Sequence, residues 1–178
     1  MFNQAKLVKE ILSQFKINKR GVHGPSHWAR VKHHGLIIGE QVGADLEVIK
    51  LFAFLHDSQR MSEYRDPEHG LRAAQYAKSL NGKFFDLKQD QMDLLTIAME
   101  GHSDGDIHLN PTIQTCWDAD RLDLGRVGIK PSPEFLSIEA RKWIDFAYEW
   151  VSSDKRYAGK EPQFKTFEDL VTQVQNIA

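Results

Sequence analysis

Apolar residues recur at helical spacing along nearly the whole chain, as in Val8, Ile11, Leu12 and Phe15, and no stretch sustains the two-residue alternation of a half-buried strand. The pattern predicts an all-α fold, a single compact helical bundle. Helices are expected near 3–17, 26–42, 47–58, 67–80, 87–103, 111–124, 133–151 and 166–177. Asp66-Pro67-Glu68, Asn110-Pro111 and Ser132-Pro133-Glu134 each set a capping side chain before a proline at the first helical position. Thr166 followed by Asp169 is a weaker start of the same kind. Val48 to Leu55 is apolar nearly all round apart from Lys50, which would also suit a buried strand. The helical context makes it a central helix, and His56-Asp57 ends it.

Composition bounds the function. With 178 residues, 41% of them apolar, the chain can close one substantial core but has little room for a second domain. A formal charge of -2, from 23 basic and 25 acidic residues spread along the sequence, offers no global attraction for nucleic acid or anionic lipid. Cys116 is the only cysteine, so an intrachain disulfide and a cysteine-based zinc cluster are both excluded. That usage points to the cytoplasm, and the N-terminal segment lacks the apolar run of a signal peptide. The longest strictly apolar run, Leu51 to Leu55, is too short to span a bilayer.

Ionisable side chains fall on faces that the apolar pattern says are buried. Asp120 lies in the middle of the stripe formed by Ile113, Cys116, Trp117 and Leu124. His27 aligns with Val31, Ile38 and Val42, His69 with Ala73, Tyr76 and Leu80, and His102 with Leu94 and Ala98. A lone buried histidine is more often a hydrogen-bonded core residue than a ligand, and a lone buried aspartate often pairs with an arginine such as Arg121 or Arg126. An uncompensated buried carboxylate costs several kcal/mol, so a cation should stand beside Asp120. Several such residues together form the mixed nitrogen and oxygen donor set of a divalent metal site.

The stretches His27-Trp28-Ala29-Arg30-Val31, Phe54-Leu55-His56-Asp57 and Asp118-Ala119-Asp120-Arg121-Leu122-Asp123 resemble the HD-domain superfamily of metal-dependent phosphohydrolases. The motif-bearing core covers about residues 23–125, with C-terminal helices over 133–178 expected to pack on it within one domain, 1–178. HDSQRMSEYRDPEHGLRAA and WDADRLDLGRVGI look like a bacterial subgroup of small stand-alone HD proteins. The resemblance implies metal ligation by His27, His56, Asp57 and Asp120. Asp118 is the competing aspartate, but it faces another side of its helix; it and Asp123 are expected to hold helix ends or arginines.

The resemblance further implies a small phosphorylated substrate, such as a nucleotide, and one divalent ion, with Mn, Mg, Ni, Co, Zn and Fe undistinguished. His69 and His102 fall in the interval where some members carry ligands for a second metal; one metal is the expected number. In hydrolysis Asp57 would accept or steer the proton of the attacking water, with His69 and His102 as further catalytic candidates. Arg30, Arg60 and Arg121 are the candidates to bind phosphate, although Arg30 and Arg121 could instead pair with buried carboxylates. His23, His33, His34 and His108 are expected in ordinary loop or surface roles. Two other readings stand beside hydrolysis: a non-catalytic metal- or ligand-sensing module, and a diiron oxygenase that needs both extra histidines. No membrane or nucleic-acid partner is expected, and a homodimer contact through the aromatic-rich seventh helix is left open.

Overall fold

The computed structural model describes residues 2–153, and among them the fold is all-α, with no strand. The helices are α1 (Gln4–Gln14), α2 (Pro25–Val42), α3 (Leu46–Leu55), α4 (His69–Leu80), α5 (Gln89–Gly101) and α6 (Pro111–Leu122). A 3-10 turn (Asp123–Val127) follows, then a second (Pro133–Phe135), α7 (Ile138–Arg141) and α8 (Ile144–Ser153). None of the described helices is long and apolar enough to cross a membrane.

The central position belongs to α3. Val48, Ile49 and every residue from Leu51 to Leu55 are buried, because α1, α2, α4, α5 and α6 all pack around this helix. Each such Leu or Phe contributes roughly 1.5–3 kcal/mol by leaving water. Asp45 starts the helix, its carboxylate accepting from the backbone N–H groups of Glu47 and Val48. The expected central helix is thus present, and its C-terminal end delivers His56 and Asp57 into the middle of the molecule.

Two close helix approaches set the geometry around that end. A Cβ on Gly35 would lie 2.6 Å from the Ile49 side chain, so glycine lets α2 settle against α3, while Ala119 Cβ of α6, at 3.4 Å, is at ordinary contact distance. A Cβ on Gly70 would lie 2.2 Å from the Met99 carbonyl oxygen. Backbone meets backbone there, and the first turn of α4 rests on the last turn of α5.

Of the expected helix starts, Asn110-Pro111 is as anticipated, with the Asn110 side chain accepting from Thr112 N. The Asp66-Pro67 start is displaced, because the Asp66 carboxylate takes Arg72 and the Met61 N–H instead; α4 begins at His69. The single helix expected over 133–151 is broken into three pieces. Leu136 is extended and buried in a small cluster with Ile38, Leu122, Ala140 and Ala147, while Ser137 caps α7 and donates its N–H to Asp118. The helix expected over 166–177, with its Thr166 cap, lies outside the described residues.

Gly70→Ala should destabilise the protein by about 1–3 kcal/mol, the usual cost of overpacking a close contact. Urea unfolding monitored by circular dichroism measures it, and a variant as stable as the parent would show that α4 and α5 can separate freely.

Candidate metal centre

Six ionisable residues meet where five helices end or begin. His27 lies in the first turn of α2, His56 caps α3 with Asp57 next to it, and His69 opens α4. His102 caps the C-terminus of α5, and Asp120 comes from the last turn of α6. His27, His56, Asp57, His69 and His102 are all buried, whereas the Asp120 side chain keeps 14% exposure at a pocket wall.

Their hydrogen bonds fix the tautomers of the imidazoles. His56, His69 and His102 each place Nδ1 on a backbone carbonyl, those of Phe52 (3.0 Å), Asp66 (2.5 Å) and Met99 (2.7 Å). A carbonyl only accepts, so each Nδ1 must carry a proton and each neutral ring presents a bare lone pair at Nε2. His27 Nδ1 likewise donates to the Asp123 carboxylate at 2.7 Å. The four Nε2 atoms then face one another: His27 lies 3.0 Å from His56, and His69 lies 2.7 Å from His102. Opposed lone pairs at this separation repel unless a proton or a metal cation lies between them.

The carboxylates complete two donor groups. Asp57 Oδ2 is 3.4 Å from His27 Nε2 and 3.3 Å from His56 Nε2; Asp120 Oδ1 is 3.3 Å from His27 Nε2 and 3.9 Å from His56 Nε2. Ligands held at about 2.1 Å from a common ion stand roughly 3.0–3.4 Å apart in octahedral or tetrahedral arrangements, so most of these separations suit a shared cation. The other oxygen, Asp57 Oδ1, is 3.4 Å from His69 Nε2 and 3.8 Å from His102 Nε2. Asp57 belongs to both of these groups, which can hold a metal ion, and His56, His102 and Asp120 make up a further such set across them.

Charge in this network is tightly linked. Burial and the Arg126 charge oppose protonation of His27, but contacts with Asp120, Asp123 and Asp57 outweigh them and raise its pKa to about 9. A proton on His27 therefore serves as the cation when metal is absent. Burial above all, with His56 as a neighbour, lowers His102 to about 4, so it is neutral at pH 7. Asp123 is fully buried, yet Arg30 and His27 hold its carboxyl well below the usual range despite desolvation. Arg30 grips it through Nε at 2.5 Å and Nη2 at 2.9 Å, an arrangement that locks the orientation of the His27 ring.

A pocket of about 310 Å³ opens beside the donors, lined by Asp57, His69, His102, Asp120 and the guanidiniums of Arg60, Arg121 and Arg126. Of the three arginines expected at phosphate, Arg60 and Arg121 line this pocket, while Arg30 is spent on Asp123 and does not. Arg60 Nη1 lies 3.2 Å from Asp57 Oδ1 and 3.0 Å from His69 Nε2. Asp118 points elsewhere, accepting from Gln114 and from the Ser137 N–H near the start of α7.

Sequence reasoning missed three features. Arg126 was weighed only as an ion-pair partner; it follows α6 in a 3-10 turn, where helical periodicity gives no sign of its direction. His23 and His34, expected in loop or surface roles, are both buried. His23 Nδ1 bonds Glu63 at 2.6 Å and its ring stands perpendicular to His27 with centroids 6.4 Å apart. A histidine four residues before a candidate ligand was the available signal. No family model, curated protein or solved structure matches the chain, so the centre is read from its own geometry.

Asp123→Ala would strand the half-buried Arg30 and the buried His27, and is expected to cost about 3–5 kcal/mol in chemical unfolding. The pH dependence of the metal-free protein has a defined sign. The raised pKa of His27 contributes stability that is full below 6.5 and is lost as the pH rises through about 9. Thermal denaturation across that interval should show the decline, and His27→Gln should flatten it; an identical slope in both proteins would remove His27 from the network.

Proposed function

We propose that this chain is a divalent-metal-dependent phosphohydrolase of the HD type, cleaving a phosphate ester of a nucleotide or another small phosphorylated metabolite. The observation that carries the reading is the convergence of four imidazole lone pairs and two carboxylates beside an arginine-lined pocket, whose wall includes His69, His102, Asp57 and Asp120. A purely structural histidine would satisfy Nε2 with a donor; apart from His69, which has Arg60 Nη1 at 3.0 Å, these present it only to one another and to carboxylates. When bound, a divalent ion supplies Lewis acidity toward a phosphoryl oxygen and toward water.

The chain's own residues divide the remaining work. His27, His56, Asp57 and Asp120 would hold the ion, with Asp123 and the Phe52 carbonyl orienting the two rings. Despite its burial, the neighbouring His56 and His27 rings hold the Asp57 carboxyl well below its usual range. As a carboxylate it can take or steer the proton of attacking water. His102, neutral at pH 7, lines the same pocket and can accept a proton as well. Arg60 and Arg121 offer the planar donors that suit phosphate.

The 2.7 Å approach of His69 and His102 favours a second ion held with Asp57 Oδ1, beyond the single ion expected from the motif. Arg60 supplies positive charge to that group in the metal-free protein, so a second ion must displace it and should bind more weakly. The same bridge also suits a diiron oxygenase, which an iron-loaded sample with a carboxylate-bridged optical signature would reveal. Metal binding without turnover would instead favour a sensing module.

Phosphorylated metabolites screened with manganese, magnesium, nickel or cobalt should yield phosphate release. Asp57→Asn is expected to lower turnover by at least about a hundredfold, on the scale of a lost general base. Activity unchanged in the double variant His56→Ala, Asp57→Ala would place the reaction elsewhere. Calorimetric titration with manganese should show one tight and one weaker equivalent, and Arg60→Met should strengthen the weaker one. A single equivalent in both proteins would confine metal to the His27 group.

A further inference from the structure

We propose that Arg121 and Arg126 form a clamp for a terminal, doubly charged phosphoryl group, which makes phosphomonoesters the substrate class and disfavours diesters. The proposal rests on the phosphohydrolase reading of the same pocket. Both guanidiniums line that pocket, and each has one prong tied to the fold. Arg121 Nη1 donates to the Phe135 carbonyl at 2.7 Å, and its guanidinium lies 5.4 Å over the Trp117 ring. Arg126 Nε donates to the Val22 carbonyl at 2.9 Å. These ties fix direction and cut the entropy lost when a ligand is gripped.

The other prongs are unsatisfied. Arg121 Nη2 and Arg126 Nη1 are buried without a hydrogen-bond acceptor among the described residues. The nearest carboxylates to Arg126 are Asp120 Oδ1, 3.7 Å from Nη2, and Asp123 Oδ2, 4.0 Å from Nη1. Buried donors left unpaired are costly, more so on a charged group, and a turn of each guanidinium toward the pocket would bring them to an anionic acceptor there. Because Arg126 stands beside Asp120, an anion taken by the clamp lies next to the metal donors.

Charge selects the class of anion. Around the donors stand the guanidiniums of Arg30, Arg60, Arg121 and Arg126 and the carboxylates of Asp57, Asp120 and Asp123, while Asp118 and Asp106 act on Arg121 from outside the donor set. Each divalent ion adds two positive charges to that set. A phosphomonoester, whose second ionisation falls near pH 6, brings about two negative charges at neutral pH, whereas a diester brings one. The volume of about 310 Å³ sits at the small end of ligand pockets, roughly 300–1,000 Å³, and Leu124 and Phe135 give its wall an apolar part for a compact organic group.

The test uses the full chain with manganese or with chelator, inorganic phosphate as the binding probe, and p-nitrophenyl phosphate against bis(p-nitrophenyl) phosphate as substrates. Phosphate should bind the parent protein, and Arg126→Met and Arg121→Met should each weaken it by at least about tenfold with manganese stoichiometry unchanged. Arg121→Lys should recover only part of the loss, since it keeps the charge but not the fork. The monoester should exceed the diester in kcat/KM by about a hundredfold or more. If circular dichroism shows Arg121→Met unfolded, Arg126→Met carries the comparison. Parent-like phosphate affinity in folded variants, no phosphate binding by the parent under either condition, or preference for the diester overturns the clamp. Phosphate binding that depends on both arginines in a protein that hydrolyses no ester would retain the clamp and sink the phosphohydrolase reading instead.

Discussion

Four buried imidazoles whose Nδ1 protons are already committed to oxygen atoms turn their remaining lone pairs toward one another and toward two carboxylates. No rearrangement of hydrogens among neutral groups satisfies such a set, because every free position is an acceptor. Positive charge must enter it. In the metal-free protein that charge comes from the proton on His27 and from Arg60 at Asp57 and His69, and the same places suit divalent ions. The rest of the structure can be understood as the frame that holds this unfavourable gathering together until a cation stabilises it.

The frame works through helix ends. A ligand in the middle of a helix would have to enter a tightly packed interior, while one at a terminus can reach a shared pocket. His56, His69 and His102 all stand at helix ends, and His27 and Asp120 stand within a turn of one. The close approach at Gly70 brings the start of α4 onto the end of α5, which sets His69 against His102. The approach at Gly35 does the same for α2 and α3, which carry His27 and His56. Packing free energy spread over the central helix thus offsets the local cost of crowding like groups.

The arginines extend the same electrostatic logic outward. Arg30 is saturated by Asp123 and acts on His27 through it, whereas Arg121 and Arg126 keep unpaired nitrogens beside the pocket. A phosphate anion suits both the metal donors and these guanidiniums, since it supplies acceptors where the protein has surplus donors. Burial gives each of these interactions greater weight than it would have in water.

Much of this was legible in the sequence. Helical periodicity identified the all-α fold, the central helix before His56 and the inward faces bearing His27, His69, His102 and Asp120, because burial of apolar side chains repeats with the turn of the helix. The cap at Asn110 could be read because it acts within three residues. What periodicity could not reach was anything decided between segments: Ser137 with Asp118, Asp66 with Arg72, and the buried settings of His23 and His34. The orientation of Arg126 escaped for the same reason, since a 3-10 turn lacks the helical repeat and its partners lie at Val22 and Asp120. The sequence determined which donors would be buried; only tertiary packing decided which of their lone pairs would meet, because that depends on how closely two backbones can approach.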